Sequence, residues 1–412
     1  MKAIVNTKIV TEDGIIWDGA LTYVNDKIVQ VGWTKDVVIP ENAEVYDAEG
    51  LYTAPGLIDI HNHGGGDWLF AENPSYCAEW FLKHGITTVL PTFYHNLDMD
   101  AMLEGAKKIR EASLTGAGRI MDGLYMEGPF MNLSGSFQNE MKWNGAIREE
   151  DYTQLIEGLG DMIRVWAIDP KRENIEAFMT YAREHTPKAI FAHGHSRSTA
   201  EENGANVIVC DYNEEAAKET AEEIRAVAHY GVKLRTHITD SGGPKGRAQG
   251  TPGAGGDEYC LYEPDMYAEL ICDETGIHVT PDLIKMIVRT KGYEKICLIS
   301  DSMPSRTNYK NNEELGIWYG SDLNYDDEGK LAGSRMTLDN GVRNLMTHTG
   351  YGLCHAIRMA TLNPARALGI DHRVGSLKAG KTANFIIIDD MVHIKKVILQ
   401  GDLAVEDGEV LI

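Results

Sequence analysis

Residues 54–63 read Ala-Pro-Gly-Leu-Ile-Asp-Ile-His-Asn-His, and this stretch decides how the rest of the chain is interpreted. The Pro-Gly pair predicts a turn, and the apolar run 57–60 predicts a short strand that ends in two histidines. Because side chains alternate between the faces of a strand, His61 and His63 point the same way. Two imidazoles on one face can bind one metal ion, although such a pair also arises by accident at a strand end.

Apolar runs alternate with amphipathic segments through the middle of the chain, which predicts βα units around a parallel sheet. There are eight such runs, the number that a (β/α)8 barrel needs. They are residues 57–60, 86–90, 120–126, 163–168, 189–192, 232–234, 267–272 and 295–299. We therefore predict an α/β fold with a TIM-type barrel over residues 56–377.

Both ends of the chain contain short β segments separated by turns. The predicted segments are residues 3–5, 15–17, 27–31, 44–46, 385–388, 397–399 and 410–412. Neither end has enough strands to bury one face alone. We therefore predict that residues 1–55 and 378–412 together form one small β-sandwich domain.

Composition excludes several classes of function. The 412 residues carry a net charge of −23 and a pI near 5.0, which disfavours nucleic acid or an anionic membrane as a partner. The six cysteines are scattered without a Cys-Xaa-Xaa-Cys pair, as expected of free thiols in a reducing compartment. The sequence shows neither a signal peptide nor an apolar run of ~18 residues. These features predict a cytoplasmic enzyme.

Polar residues of metal-binding type follow five of the eight runs, at the ends where parallel barrels carry their active sites. They are His61 and His63, Glu127, His195, His237 and Asp301. Considered alone, Glu127 is also explained as a helix or loop cap, and His237 as a core histidine that hydrogen-bonds to the backbone. His193 and His95 are weaker candidates for the same pocket. Five coincident strand ends favour a metal site over these separate explanations.

Imidazole and carboxylate ligands without thiolate suit zinc, and they are also compatible with iron, manganese or cobalt. Such an ion lowers the pKa of bound water towards ~7. A carboxylate must then take the proton and deliver it to the leaving group, and Asp301 is the candidate. The ligand set therefore predicts hydrolysis.

Motifs along nearly the whole chain carry a family resemblance. They include His61-Asn-His63, Met126-Glu-Gly-Pro-Phe130, Gly194-His-Ser196, Gly276-Ile-His-Val279, Leu298-Ile-Ser-Asp301 and Gly375-Ser-Leu-Lys-Ala-Gly-Lys381. With these motifs the chain resembles the amidohydrolase superfamily and, within it, the N-acetylglucosamine-6-phosphate deacetylase family. The resemblance implies a metal-dependent enzyme that removes the acetyl group from an N-acetyl amino sugar phosphate.

The resemblance also implies roles for single residues. Glu127, His195 and His237 match the principal metal ligands, and Asp301 matches the residue that transfers the proton. His278 matches a substrate contact, while Arg247 matches an arginine that reaches the substrate phosphate of the neighbouring subunit in a homodimer. Because the chain keeps both histidines of the first strand, two metal ions per chain are expected, with Glu127 as the bridge.

The sequence departs from the family pattern at three places, and the first two concern the substrate. Asp240 lies where backbone amides of the family surround phosphate, and a carboxylate disfavours phosphate there. Asn139 stands in place of a histidine that polarises the scissile carbonyl, and its amide can donate a hydrogen bond instead. An insertion at residues 204–212 is also unusual for the family.

The departures leave the substrate open. The alternatives are N-acetylgalactosamine 6-phosphate, an unphosphorylated N-acetylhexosamine or an N-acyl amino acid. A hypothesis from another class is a metal-binding relative without catalytic activity. The retained Asp301 and the full ligand set oppose it.

Overall fold

The structure is a computed structural model. It describes residues 1–131, 142–170, 172–194, 232–239, 256–304, 322–325 and 331–412. The strands form an eight-stranded parallel sheet, a nine-stranded sheet and two short two-stranded sheets. No helix in the described part of the chain combines the length and apolarity needed to cross a bilayer. The predicted insertion at 204–212 lies outside the described residues.

The eight parallel strands follow one another in chain order, and they are numbered here as barrel strands one to eight. They are Leu57–Asn62, Ile86–Tyr94, Leu124–Glu127, Ile163–Ile168, Ile190–His193, Leu234–Arg235, Tyr267–Ile271 and Ile296–Ile299. Each predicted apolar run overlaps one of them, so the predicted barrel is confirmed. Strands one and two are buried along their whole length, as expected for a parallel sheet that is covered on both faces.

Barrel strand three begins later than the sequence predicted. Ile120 ends the 3-10 helix Gly116–Ile120, and the strand starts only at Leu124. Gly123 separates the two elements at a φ of 139°, a conformation that favours glycine. The apolar character of Ile120 comes from packing into the core of the protein rather than from a place in the sheet.

The helices pack around the barrel through apolar stripes. They are Pro74–Lys83, Met99–Ala112, Glu149–Leu159, Ile175–His185, Gly256–Tyr262, Pro281–Lys291, Leu338–Thr349, Leu353–Met359 and Leu362–Ala367. Two of them have side-chain caps, because Asn73 accepts from the backbone N–H of Tyr76 and Asp98 accepts from that of Ala101. Further 3-10 helices are Thr34–Asp36 and Tyr293–Lys295.

The nine-stranded sheet contains both ends of the chain. Its strands are Lys2–Val10, Ile15–Val24, Lys27–Trp33, Glu44–Asp47, Tyr52–Pro55, Phe385–Ile388, Ile394–Leu399, Asp402–Glu406 and Glu409–Val410. Antiparallel pairing of Tyr52–Pro55 with Phe385–Ile388 joins the two ends. The prediction missed Tyr52–Pro55 and Asp402–Glu406, and the last predicted strand stops at Val410 rather than Ile412.

This sheet folds back on itself. The backbone N–H of Ile28, on the edge strand, donates to the carbonyl of Lys381 at 2.9 Å, just before the C-terminal strands begin. The rings of Tyr23 and Phe385 lie 5.4 Å apart, although two strands separate theirs in the sheet order. The predicted sandwich from both chain ends is therefore confirmed, while its exact limits, 1–55 and 378–412, stay predictions.

Two small hairpins stand at the C-terminal rim of the barrel strands. Gly64–Gly65 pairs with Trp68–Leu69 directly after His63, and Leu323–Tyr325 pairs with Leu331–Ser334. The backbone N–H of His63 donates to the carbonyl of Ser302 at 2.8 Å. The first and last barrel strands therefore meet at this rim.

Candidate metal centre and active site

The C-terminal ends of four barrel strands hold the polar cluster. His61 lies in barrel strand one, and His63 follows that strand directly. Glu127 is the last residue of strand three, while His237 and Asp301 each lie two residues beyond their strands, six and eight. Because parallel strands end at the same rim, side chains from distant parts of the sequence face one another here.

The structure brings together four of the predicted site residues within a few ångströms. Potential ligand atoms of His61, His63, Glu127 and Asp301 all lie within 4.8 Å of one another, and all four residues are buried. Nε2 of His63 is 3.1 Å from Oε2 of Glu127 and 3.1 Å from Oδ1 of Asp301. Nε2 of His61 is 3.2 Å from the same Glu127 oxygen.

His237 approaches the cluster from the other side of Glu127. Its Nε2 lies 3.1 Å from Oε1 of Glu127, whereas Oε2 faces the two histidines of strand one. The two carboxylate oxygens of Glu127 therefore point towards two separate groups of imidazoles. This division of its oxygens suits a carboxylate that binds one metal ion through each oxygen.

Opposite charges in the cluster shift one another's pKa values. Burial alone lowers the pKa of His63, but Asp301 and Glu127 outweigh it and raise that pKa to about 9. Burial opposes the charge of His61 in the same way, yet Glu127 and Glu269 raise its pKa well above the usual value. Burial raises the pKa of Asp301, but His63 and His61 more than reverse that effect. Carboxylates and imidazoles thus stabilise each other's ionised forms.

The backbone around Asp301 is held in an uncommon conformation. Asp301 has a φ of 47°, in the left-handed region that non-glycine residues rarely occupy. Its carbonyl accepts from the N–H of Ser334 at 2.7 Å. On the preceding residue, the hydroxyl of Ser300 donates to Oδ2 of Asp59 at 2.5 Å. These contacts fix the direction in which the Asp301 carboxylate points.

Sequence reasoning assigned no role to Asp59 or Glu269. Asp59 alternates with His61 and His63 on strand one, so its position on their face was readable from the spacing. Burial raises the pKa of Asp59 to about 6, against the hydrogen bonds from Ser300 and His61. Glu269 is the charged residue of the otherwise apolar run 267–272, and its Oε2 lies 2.9 Å from Nδ1 of His61.

Other predicted residues are less closely tied to the cluster. His278 is buried, and its backbone N–H donates to Oδ2 of Asp273 at 2.9 Å. His95 and His193 are also buried, and burial with the nearby guanidinium of Arg235 lowers the pKa of His193. His195, Arg247, Asn139 and Asp240 lie outside the described residues.

The described residues fit a metal ion. Nε2 of His61 is fully buried and makes no hydrogen bond of acceptable geometry within the described part of the chain. Two carboxylates, from Glu127 and Asp301, face the same imidazole of His63, and all three residues are buried. Nitrogen and oxygen donors in this arrangement are those that zinc and related divalent ions prefer.

The fold and this site define a metal-dependent hydrolase built on a barrel, and comparison with known proteins agrees. Residues 52–404 match the model of the amidohydrolase family, and the chain belongs to that family. It is an enzyme that hydrolyses an amide bond.

Among curated proteins, the chain is 26% identical to N-acetylglucosamine-6-phosphate deacetylase of Haemophilus influenzae, covering 97% of this chain and 98% of that protein. It is 27% identical to N-acetylgalactosamine-6-phosphate deacetylase of Escherichia coli O157:H7, covering 96% and 97% respectively. Among solved structures, N-acetylglucosamine-6-phosphate deacetylase from Pasteurella multocida superposes with a TM-score of 0.78 at 25% identity, covering 97% of this chain and 98% of the other. The resemblance found in the motifs is thus confirmed over nearly the whole chain.

Proposed function

We propose that this enzyme removes the acetyl group from an N-acetylhexosamine 6-phosphate. The observation that carries the proposal is the near-complete alignment with two deacetylases whose names differ only in the hexosamine. The cluster of His61, His63, Glu127, His237 and Asp301 supplies the groups that amide hydrolysis needs. N-acetylglucosamine 6-phosphate is the first choice of substrate, because that name recurs among the relatives and the solved structure.

The proposed metal ligands fall into two sets that share Glu127. His61 and His63 would hold one ion with Oε2 of Glu127, and His237 would hold a second with Oε1. His195 completes the second set in this proposal. Zinc is the ion of first choice, with iron, manganese and cobalt as alternatives. When bound, the metal supplies Lewis acidity that activates water and polarises the scissile carbonyl.

Asp301 is the proposed general base and acid. Its carboxylate is buried beside His63, and the imidazoles of His63 and His61 lower its pKa, so that it is ionised at neutral pH. It takes a proton from the attacking water and delivers it to the amine nitrogen as the C–N bond breaks. The products are acetate and a free amino sugar phosphate.

The remaining roles concern substrate binding and assembly. We propose that His278 contacts the sugar, that Asn139 donates to the acetyl carbonyl, and that Arg247 reaches the phosphate across a homodimer. A cytoplasmic location belongs to the same proposal. It is supported by the five described cysteines, which are free thiols.

A panel assay for released acetate tests the substrate. The panel contains the 6-phosphates of N-acetylglucosamine and N-acetylgalactosamine, both unphosphorylated sugars, N-acetyl amino acids and a cyclic amide. We expect kcat/KM to be highest for a hexosamine phosphate, and Arg247→Ala to raise KM for phosphorylated sugars only. The Asp301→Asn variant gives the background rate of acetate release.

Equal turnover of sugars with and without phosphate would overturn the phosphate requirement. It would favour the alternative substrate that the acidic Asp240 suggests, an N-acetylhexosamine without phosphate. Turnover of an N-acyl amino acid in preference to every sugar would reject the proposed substrate class.

A further inference from the structure

Glu269 is a carboxylate in the interior of the barrel. It lies on barrel strand seven beside Cys297 of strand eight, is completely buried, and precedes the inward-facing Ile271 by two residues. Both of these neighbours belong to the apolar cluster that fills the barrel. An ionised carboxylate in such surroundings costs several kcal/mol unless it is paired. The position therefore requires a specific partner.

That partner is His61. Oε2 of Glu269 lies 2.9 Å from Nδ1 of His61, and both side chains have no exposed surface. Because a carboxylate only accepts hydrogen bonds, Nδ1 carries the hydrogen and Nε2 is the nitrogen left for a metal. Nε2 is also the atom that faces Glu127.

The same oxygen reaches the other side of the centre. The backbone N–H of His237 lies 3.4 Å from Oε2 of Glu269, a long hydrogen bond. His237 has a φ of 22°, outside the usual region for a non-glycine residue. One carboxylate therefore touches residues from both proposed metal-binding sets.

We infer that Glu269 is a positioning residue of the metal centre, one that fixes the tautomer and orientation of His61 and steadies the backbone of His237. The inference rests on the proposed metal site and adds a residue that binds no metal itself. A carboxylate behind a metal-binding histidine raises the basicity of the imidazole and prevents the ring from rotating. Loss of Glu269 should therefore weaken metal binding while the barrel stays folded.

Two variants and one control test the inference. Glu269→Gln keeps the shape and an acceptor but removes the charge, and Glu269→Leu removes the acceptor as well. Asp339→Asn is the control, because Oδ1 of the buried Asp339 lies 3.3 Å from Nδ1 of the partly exposed His84, a carboxylate–imidazole contact away from the metal ligands. Zinc affinity is measured by competition with a chromophoric chelator, and the absorption spectrum of the cobalt-loaded protein reports the ligand geometry.

We expect zinc affinity to fall about 10- to 100-fold in the Glu269 variants, more for Leu than for Gln. The cobalt spectrum should change in both, whereas Asp339→Asn should match the wild type in affinity and spectrum. Unchanged zinc affinity in folded Glu269→Gln and Glu269→Leu would overturn the inference. Failure of both variants to fold beside a folded Asp339→Asn would also overturn it, because Glu269 would then serve folding. Acetate release by the wild-type enzyme tests the proposed function separately.

Discussion

The backbone N–H of Asp301 donates to the carbonyl of His61 at 3.0 Å. This bond joins the last barrel strand to the first at the rim where the site lies. Since the same residues carry the proposed proton-transfer carboxylate and a proposed metal ligand, closing the barrel also sets the distance between those two groups. Oδ1 of Asp301 ends 3.8 Å from Nε2 of His61. With the bond from the backbone N–H of His63 to the carbonyl of Ser302, it ties the proposed catalytic geometry to the closure of the barrel.

The first prediction concerns the Asp301 carboxylate. Asp301→Asn should keep its metal and its fold but lose several orders of magnitude in kcat, because an amide cannot accept the proton. Steady-state kinetics with metal analysis of the same sample measure both effects. Substantial remaining turnover would remove Asp301 from the mechanism.

The second prediction concerns Glu127 as a shared ligand. Metal analysis of the purified wild-type protein should find more than one transition metal ion per chain. Glu127→Gln should lose most of this metal, because both carboxylate oxygens face imidazoles of the proposed ligand sets.

Removal of metal from the wild type gives the reference for that variant. Chelation should abolish turnover, and added zinc should restore it. One ion per chain, retained after replacement of His61 and His63 together, would refute the two-metal arrangement and leave a one-metal mechanism.

Much of the fold was predictable, because burial on both faces of a parallel sheet leaves uninterrupted apolar runs. The run 86–90 is one example, and the structure extends it to the buried strand Ile86–Tyr94. Local spacing likewise predicted that His61 and His63 share a face. Strand six was harder to delimit, since at two residues, Leu234–Arg235, it is the shortest of the described barrel strands.

The support behind the site was not predictable in the same way. Glu269 and His61 are 208 positions apart, and they meet because strand eight alone separates strands one and seven where the barrel closes. The sequence showed only that a charged residue interrupts an apolar strand. To predict that Glu269 contacts His61, one must know how strands one and seven are shifted relative to each other along the barrel. No local sequence pattern gives that shift.

The third prediction concerns the buried guanidinium of Arg172, which contacts the chain that follows Glu127. Arg172 donates to the carbonyls of Pro129, Met131, Trp143 and Gly145. Burial lowers the pKa of Arg172, so these carbonyls compensate for lost hydration. They lie on both sides of residues 132–141, the segment that contains Asn139. Arg172 therefore connects the two flanks of a proposed substrate-binding segment.

Arg172→Met should lower the free energy of unfolding by about 2–4 kcal/mol, because several buried carbonyls lose their donor. It should also lower kcat. Pro129 follows the proposed metal ligand Glu127 by two residues, so loss of the Arg172 contact should disturb the position of Glu127. Chemical denaturation and steady-state kinetics measure the two effects. Arg172→Lys, which keeps a charge and fewer donors, should fall between Met and the wild type. Full activity and stability in Arg172→Met would show that this contact is dispensable.

The fourth prediction concerns Asp339, which joins two outer helices. Asp339 lies in Leu338–Thr349 and contacts His84, which follows Pro74–Lys83, while Oδ2 also accepts from Arg343 at 2.9 Å. Burial raises the pKa of Asp339, but His84 and Arg343 outweigh that effect and lower it below the ordinary value of 3.8. A carboxyl whose pKa is lowered by folding stabilises the protein above its unfolded pKa. That contribution disappears as the pH falls through the folded pKa.

Asp339→Asn should therefore cost about 1–2 kcal/mol of unfolding free energy at neutral pH, where the carboxylate is ionised. The difference from the wild type should shrink once the pH drops below 3.8. Chemical denaturation of both proteins across this range gives the difference directly, and metal loss in acid affects the two proteins alike. If the difference in unfolding free energy stayed constant from neutral to acidic pH, it would come from packing rather than from charge. Protonation removes only the stabilisation that the ionised carboxylate provides.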